Sequence, residues 1–267
     1  MTMTLPNPGR KPRVAVHKFS SCDGCQLALL DLGEDLLQLS TLVEFVHFAE
    51  AGPVDPGAEV DIAFVEGSIG TAADMERIRE VRAKSRFLVA IGACATSGGL
   101  QALRNLAGGQ AWTRAVYPKP AYVDSLATST AVSRHVQVDF ELWGCPVSSR
   151  QVTVALRALL SGVQPVEERD KVCMECKRSQ VVCVMVARGL PCMGPVTRAG
   201  CGALCPGIGR DCYACYGPAE NANAEALARR MEASGIPSAA VGRRFLSINS
   251  ASPPFFAAGI GRMDSHD

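Results

Sequence analysis

Twelve cysteines in a chain of 267 residues are the side chains best able to do chemistry here, and their spacing is uneven. Cys22 and Cys25 form a C-x2-C pair, whereas Cys94 and Cys145 stand alone in IGACATSGG and WGCPVSSRQV. The other eight run from Cys173 to Cys215 as C-x2-C-x6-C-x8-C-x8-C-x3-C-x6-C-x2-C. Thiolates in fours are the ligand sets of 4Fe–4S cubanes, so twelve suffice for three clusters. Disulfides are disfavoured: twelve cysteines in 267 residues fall well below the roughly 8–10% of disulfide scaffolds. Zinc also accepts C-x2-C pairs, but structural zinc sites draw on two local knuckles. Cys22 and Cys145 are more than 120 residues apart.

Charge and hydropathy exclude several classes. The chain is 48% hydrophobic and 20% charged, with a net charge of +1, which gives no electrostatic case for nucleic acid or an anionic membrane. No apolar run approaches the roughly 18–20 residues that span a bilayer. The opening MTMTLPNPGRKPR has neither an apolar leader core nor paired arginines before a hydrophobic stretch, so the expected location is cytoplasmic. Thiols stay reduced there, and clustered cysteines bind metal or do redox work. No nucleophile–base or acid–base set accompanies them, so no catalytic residue is expected on this chain.

The elements that must position the first four cysteines alternate between strand and helix. Strand-like runs cover 13–19, 43–48, 60–65, 87–91 and 136–142, and helix-like stretches cover 26–39, 72–84, 99–106 and 148–160. FLVAI at 87–91 is apolar throughout, as a parallel strand buried on both faces should be. The pattern predicts an α/β, flavodoxin-like doubly wound parallel sheet. Cys22 and Cys25, Cys94, and Cys145 each follow a strand. Three loops thus carry cysteine to the carboxyl edge of the sheet, where open α/β sheets bind ligands. Gly24, Gly92 and Gly144 beside them permit close approach of backbone to inorganic sulfide. A boundary is expected near 165, dividing a 13–165 domain from a smaller, irregular 166–267 domain that needs metal to fold. Short helices are expected at 180–188 and 223–231; the tail after Ser250 has no regular pattern, and its Phe255 and Phe256 could dock on a partner or on the domain itself. By order, the eight cysteines divide into Cys173, Cys176, Cys183 and Cys192, and Cys201, Cys205, Cys212 and Cys215. One ligand could be exchanged between these sets, and two zinc ribbons would also use eight.

SSCDGCQLALLDL, VEGSIG, IGACATSGG and WGCPVSSRQV, in this order, resemble the small subunit of nickel–iron hydrogenases. CMECKRSQVVC, PCMGPVTRAGCGALCPG and CYACYGP resemble its cytoplasmic bidirectional branch, the sulfhydrogenase or NAD(P)-linked delta subunit. The resemblance covers about 13–218. It implies that Cys22, Cys25, Cys94 and Cys145 hold a proximal cluster facing the Ni–Fe centre of a separate large subunit. It likewise implies a medial cluster on Cys201, Cys205, Cys212 and Cys215 and a distal one on Cys173, Cys176, Cys183 and Cys192. The implied partners are that large subunit, a diaphorase subunit with flavin and NAD(P), and an additional iron–sulfur subunit. Cys173 stands where uptake relatives use a distal histidine, and Cys205 supplies a fourth medial thiolate. Ser21 stands where relatives often carry a carboxylate. Glu66 of VEGS is implied as a polar neighbour of the proximal cluster, although a solvated loop acid or a helix-capping group would read the same way.

Three rival functions remain at this level. A deazaflavin- or heterodisulfide-linked hydrogenase subunit shares the three-cluster plan. A quinone-linked respiratory subunit of the same fold carries adjacent paired cysteines in its first motif and a single cluster, unlike CDGC with eight further cysteines. The third is a zinc-binding interaction module. His17, His47, His135 and His266 fit no ligand spacing, and Met174, Met185 and Met193 read as packing around clusters.

Overall fold

Five strands form one parallel sheet in the order β2-β1-β3-β4-β5 in the computed structural model, which describes residues 10–263. They are β1 (Arg13–Lys18), β2 (Glu44–Phe48), β3 (Val60–Glu66), β4 (Ser85–Ile91) and β5 (Phe140–Leu142). All four pairings are parallel. That order is the flavodoxin-like one, with the crevice at the carboxyl ends of β1 and β3. The opening MTMTLPNPG, part of the leader reading, and His266 lie outside the described residues.

The chain divides into two compact units between Val166 and Glu167. In the first, the sheet is buried on both faces. All seven residues of β3 are buried, and its side chains alternate between two apolar cores. Ile62 and Phe64 join the face shared with Leu29, Leu39 and Leu156, while Ala63 and Val65 join the face shared with Ile78 and Val81. Helix Ala72–Lys84 runs as expected, because Thr71 and Asp74 cap each other's backbone N–H groups. The expected helix 26–39 is instead two, Gly24–Leu30 and Glu34–Leu42. Gly33, at φ +54°, breaks it.

The second unit is less irregular than its sequence suggests. Helices Ala224–Ala233, Ser238–Phe245 and Pro253–Met263 pack with the cysteine-bearing segment into one core. The tail read as patternless is a helix whose Phe255 is 1% exposed and stacks edge-on against Phe245, with centroids 5.7 Å apart. Its glycines serve packing. A Cβ on Gly259 would lie 2.5 Å from Leu246 Cγ and 3.1 Å from Gly242 O, so these two helices meet nearly backbone to backbone. Among the described residues no helix is long and apolar enough to cross a membrane.

Candidate cluster-binding sites

Cys22 lies in the loop after β1, and Cys25 in helix Gly24–Leu30, entered through Asp23 at φ +63°. Cys94 lies in helix Gly92–Ser97 after β4, and Cys145 in the loop after β5. The last two loops are tied by Ala93 N–H donating to Gly144 O at 2.7 Å. Two glycines are required by the sulfurs themselves. Gly92, at φ +82°, would place a Cβ 2.3 Å from Cys25 Sγ; Gly99, at φ +57°, would place one 2.6 Å from Cys94 Sγ. Backbone therefore closes directly onto both thiols.

The four thiols face one another electrostatically. Burial is the main force raising Cys25 far above its ordinary value; the Val147 N–H opposes it, and Glu66, Cys94 and Cys145 add to it. Cys94 is pushed up to about 12, first by burial and then by Cys145, Cys22 and Glu66. Cys145 is raised by burial and by Cys22. Thiolates here would lack a compensating cation, which a positively charged iron centre would provide. Glu66 is not a solvated loop acid. It is 2% exposed, and its Oε1 accepts from Cys25 N–H at 3.1 Å. Burial raises its carboxyl, with the Cys25 and Gln26 groups opposing. Gln101 was not singled out from sequence, yet its Nε2 donates to Ser20 O at 3.1 Å while its amide lies against Cys94. Only its place two residues beyond Gly99 signalled it.

In the second unit Cys173 and Cys176 sit on helix Val172–Arg178, and Cys183 caps helix Val184–Arg188. Cys176 is raised to about 11 by burial first, then by Cys173, Cys192, Cys183 and Cys201. Cys173 is likewise raised by burial, Cys192 and Cys183. Cys173, Cys176, Cys183 and Cys192 therefore interact with one another, with Cys201 also acting on Cys176, and Gly194 lies against Cys173 and Cys192, each Sγ 3.5 Å from where its Cβ would stand. Of the other set, Cys212 is raised by burial and by Cys192 and Cys215, and donates weakly to Thr197 Oγ1 at 3.7 Å. Cys212 N–H donates to Cys192 Sγ at 3.3 Å, so the two sets adjoin. Cys205 lies on the turn Leu204–Gly207, next to the Arg210 charge.

Glu175, between Cys173 and Cys176, carries out a task its sequence position conceals. Its Oε1 accepts from Gly200 N–H (2.8 Å) and Gly202 N–H (3.0 Å), and its Oε2 from Ala203 N–H (3.1 Å), with Cys201 Sγ 3.8 Å away. One carboxylate thus binds the helix of two cysteines to the loop of a third. Met193 is fully buried, as expected of packing, whereas Met174 is 38% exposed. His17 and His47 stack with ring centroids 4.7 Å apart. Among the described residues no three His, Cys, Asp or Glu side chains converge on a single-ion site.

Residues 22–159 match the family described as NADH ubiquinone oxidoreductase, 20 Kd subunit. The sulfhydrogenase 2 subunit delta of Pyrococcus furiosus is 35% identical over 79% of this chain and 88% of its own length. A subunit of the vhu F420-non-reducing hydrogenase of Methanococcus voltae is 32% identical over 78% of this chain and 82% of its own. A chain of a crystallised NAD+-reducing [NiFe]-hydrogenase superposes with a TM-score of 0.54 at 30% identity, over 59% of this chain and 95% of that one. This protein therefore belongs to the NADH ubiquinone oxidoreductase 20 Kd subunit family, and within it to the small subunits of nickel–iron hydrogenases.

Proposed function

We propose that the chain is the electron-transfer small subunit of a nickel–iron hydrogenase and binds three 4Fe–4S clusters through its twelve cysteines. Cys22, Cys25, Cys94 and Cys145 would hold the cluster nearest the Ni–Fe centre of the large subunit. Cys201, Cys205, Cys212 and Cys215 would hold the medial cluster, and Cys173, Cys176, Cys183 and Cys192 the distal one. Bound clusters supply one-electron carriers whose potentials depend on burial and on hydrogen bonds to sulfur. The chain's residues supply the rest. Gly92 and Gly99 bring backbone onto Cys25 and Cys94, Glu66 holds the Cys25 amide, and Glu175 holds the loop of Cys201. Bond-breaking chemistry belongs to the large subunit.

The observation that carries this reading is the convergence of thiols from three strand-end loops at the carboxyl edge of the sheet. The proposed acceptor is a cytoplasmic diaphorase with flavin and NAD(P), reached through an additional iron–sulfur subunit. A second reading, a subunit of the F420-non-reducing type, is supported by a relative that covers this chain about as fully as the sulfhydrogenase subunit does. The relatives of the sulfhydrogenase and F420-non-reducing types match 79% and 78% of this chain, against 59% for the NAD+-reducing structure. Anaerobic isolation of the native complex, with nickel, iron and flavin measured per chain, tests both. About twelve irons on this subunit are expected. About four or fewer would refute three clusters, and absence of nickel would refute a hydrogenase.

A further inference from the structure

One buried ion pair of the second unit stands where the two cysteine sets adjoin. Arg244 projects from helix Ser238–Phe245, one residue before the fully buried Phe245, and pairs with Asp211. The two side chains are only 15% and 11% exposed. The Arg244 guanidinium carbon also lies 5.0 Å from the centre of the Tyr213 ring, so this arginine touches the residues on both sides of Cys212. Cys212 is in turn joined twice to the Cys192 segment. Its N–H donates to Cys192 Sγ at 3.3 Å, and its carbonyl accepts from Met193 N–H at 3.1 Å. Cys192 and Cys212 are both buried, so water screens a charge beside them poorly. Burial lowers the Arg244 guanidinium from its ordinary value, and Cys192 is the thiol that opposes this. Stability alone is a weak reason for such a pair, because packed apolar residues of similar volume would hold the helix about as well. Arg210 meets the same ring at 5.7 Å, but it is exposed.

We propose that this pair tunes the reduction potential of the cluster held by Cys192, with Arg244 raising it and Asp211 limiting the rise. Reduction adds one electron to a cluster, and a poorly screened cation beside it stabilises the added charge. The carboxylate acts in the opposite sense. One aspartate side chain and a 3.3 Å hydrogen bond separate the guanidinium from Cys192 Sγ. A unit charge within about 12 Å, at an effective dielectric constant of about 20, shifts a one-electron equilibrium about tenfold or more. The pair is neutral as a whole, so each charge shows its full effect only when the other is kept and it alone is removed. The proposal rests on the reading of Cys192 as a cluster ligand.

The test is an anaerobic redox titration of the native complex at fixed pH, followed by EPR, with iron measured on every sample. The signal lost or altered in Cys192→Ser identifies the cluster. Arg244→Gln is expected to lower its reduction equilibrium about tenfold, read as a midpoint lower by about 59 mV for one electron. Asp211→Asn is expected to raise the midpoint by a similar amount, and the double variant to return it towards wild type. Arg244→Lys keeps the charge and should leave the midpoint near its wild-type value. Arg210→Gln removes an exposed charge from the same ring and should move it least. Opposite shifts in the Gln and Asn variants are what a charge produces and a packing defect does not. Unmoved midpoints in iron-replete variants, shifts of the same sign in Arg244→Gln and Asp211→Asn, or an Arg210→Gln shift equal to that of Arg244→Gln would each overturn the proposal. Should Arg244→Gln lose its iron, the other two decide: a raised midpoint in Asp211→Asn with an unmoved one in Arg244→Lys supports the proposal, and any other result refutes it. A wild-type complex whose signals are all indifferent to Cys192→Ser refutes the cluster reading instead.

Discussion

Replacing Glu175 gives a graded prediction that depends on both of its oxygens. In Glu175→Ala, three backbone N–H groups lose their acceptor. Gly202 is exposed and can turn to water, but Gly200 and Ala203 are buried. An unsatisfied buried donor costs about 1–3 kcal/mol, so the alanine variant should weaken the Cys201 loop by about 2–6 kcal/mol. Glu175→Gln keeps one acceptor oxygen. Placed where Oε1 stands, it can still serve Gly200 and Gly202, but its NH2 then confronts Ala203 N–H. That single loss costs about 1–3 kcal/mol. Glu175→Asp is one methylene short and should resemble alanine more than glutamine. At about 1.4 kcal/mol per factor of ten, the glutamine variant should open its loop roughly ten- to a hundredfold more often, and the alanine variant more often still. The assay is iron loss to a chelator under anaerobic conditions, in the native complex, with the loss rate compared across the three variants. Ordering by rate as wild type, Gln, then Ala supports the clamp. Equal loss rates in all three would refute it, as would loss that is confined to Asp.

Three further outcomes follow from individual side chains. Gly92→Ala should lose about four of about twelve irons, because its Cβ would sit 2.3 Å from Cys25 Sγ at φ +82°; iron analysis showing a full complement would contradict the close approach. His17 is held down to about 3 from an ordinary 6.5, by burial first and then by His47 and Arg77. Its ring is therefore neutral when folded and takes up a proton on unfolding. The stability it contributes is present above about pH 6.5 and is lost as pH falls towards 3. His17→Gln should flatten that acid limb, and urea midpoints that run parallel to wild type across this range would show the ring to be irrelevant. Phe255→Ala should cost about 3–5 kcal/mol as a large-to-small change in a filled core, whereas the 42% exposed Phe256 should cost under about 1 kcal/mol when truncated. Thermal unfolding that ranks the two equally would place the tail helix elsewhere.

What was legible in the sequence was whatever depends on local pattern. β4 announced itself through its apolar run 87–91, as a parallel strand covered on both faces should, and helix Ala72–Lys84 through its helix-like pattern. The cysteines were legible for a similar reason: a strand-to-helix loop is short, so position after a strand already fixes position at the sheet edge. The misses all involve backbone. Gly259 and the prolines Pro253 and Pro254 read as irregularity, yet proline suits the first helical turn and glycine lets a neighbouring helix approach, so the same residues built the helix. Glu175 was hidden more deeply. Its partners are main-chain N–H groups 25 to 28 positions away, and amides leave no mark in a residue code. An anion receptor made of backbone can be recognised only from the side chain that fills it. A sequence reading therefore finds the sulfurs that would hold a cluster more readily than the groups that hold the sulfurs. Here those groups are the ones that keep two adjoining cysteine sets in register: Glu175 spans Cys173–Cys176 and Cys201, and Cys212 N–H reaches Cys192 Sγ at 3.3 Å. If the second unit depends on metal to fold, as its cysteine density suggests, these are also the contacts that would let one occupied set organise the next. Partial iron loading of the eight second-unit cysteines should then be rare, with chains either full or empty there. Native mass spectra with a dominant half-loaded second unit would show that the two sets fill independently.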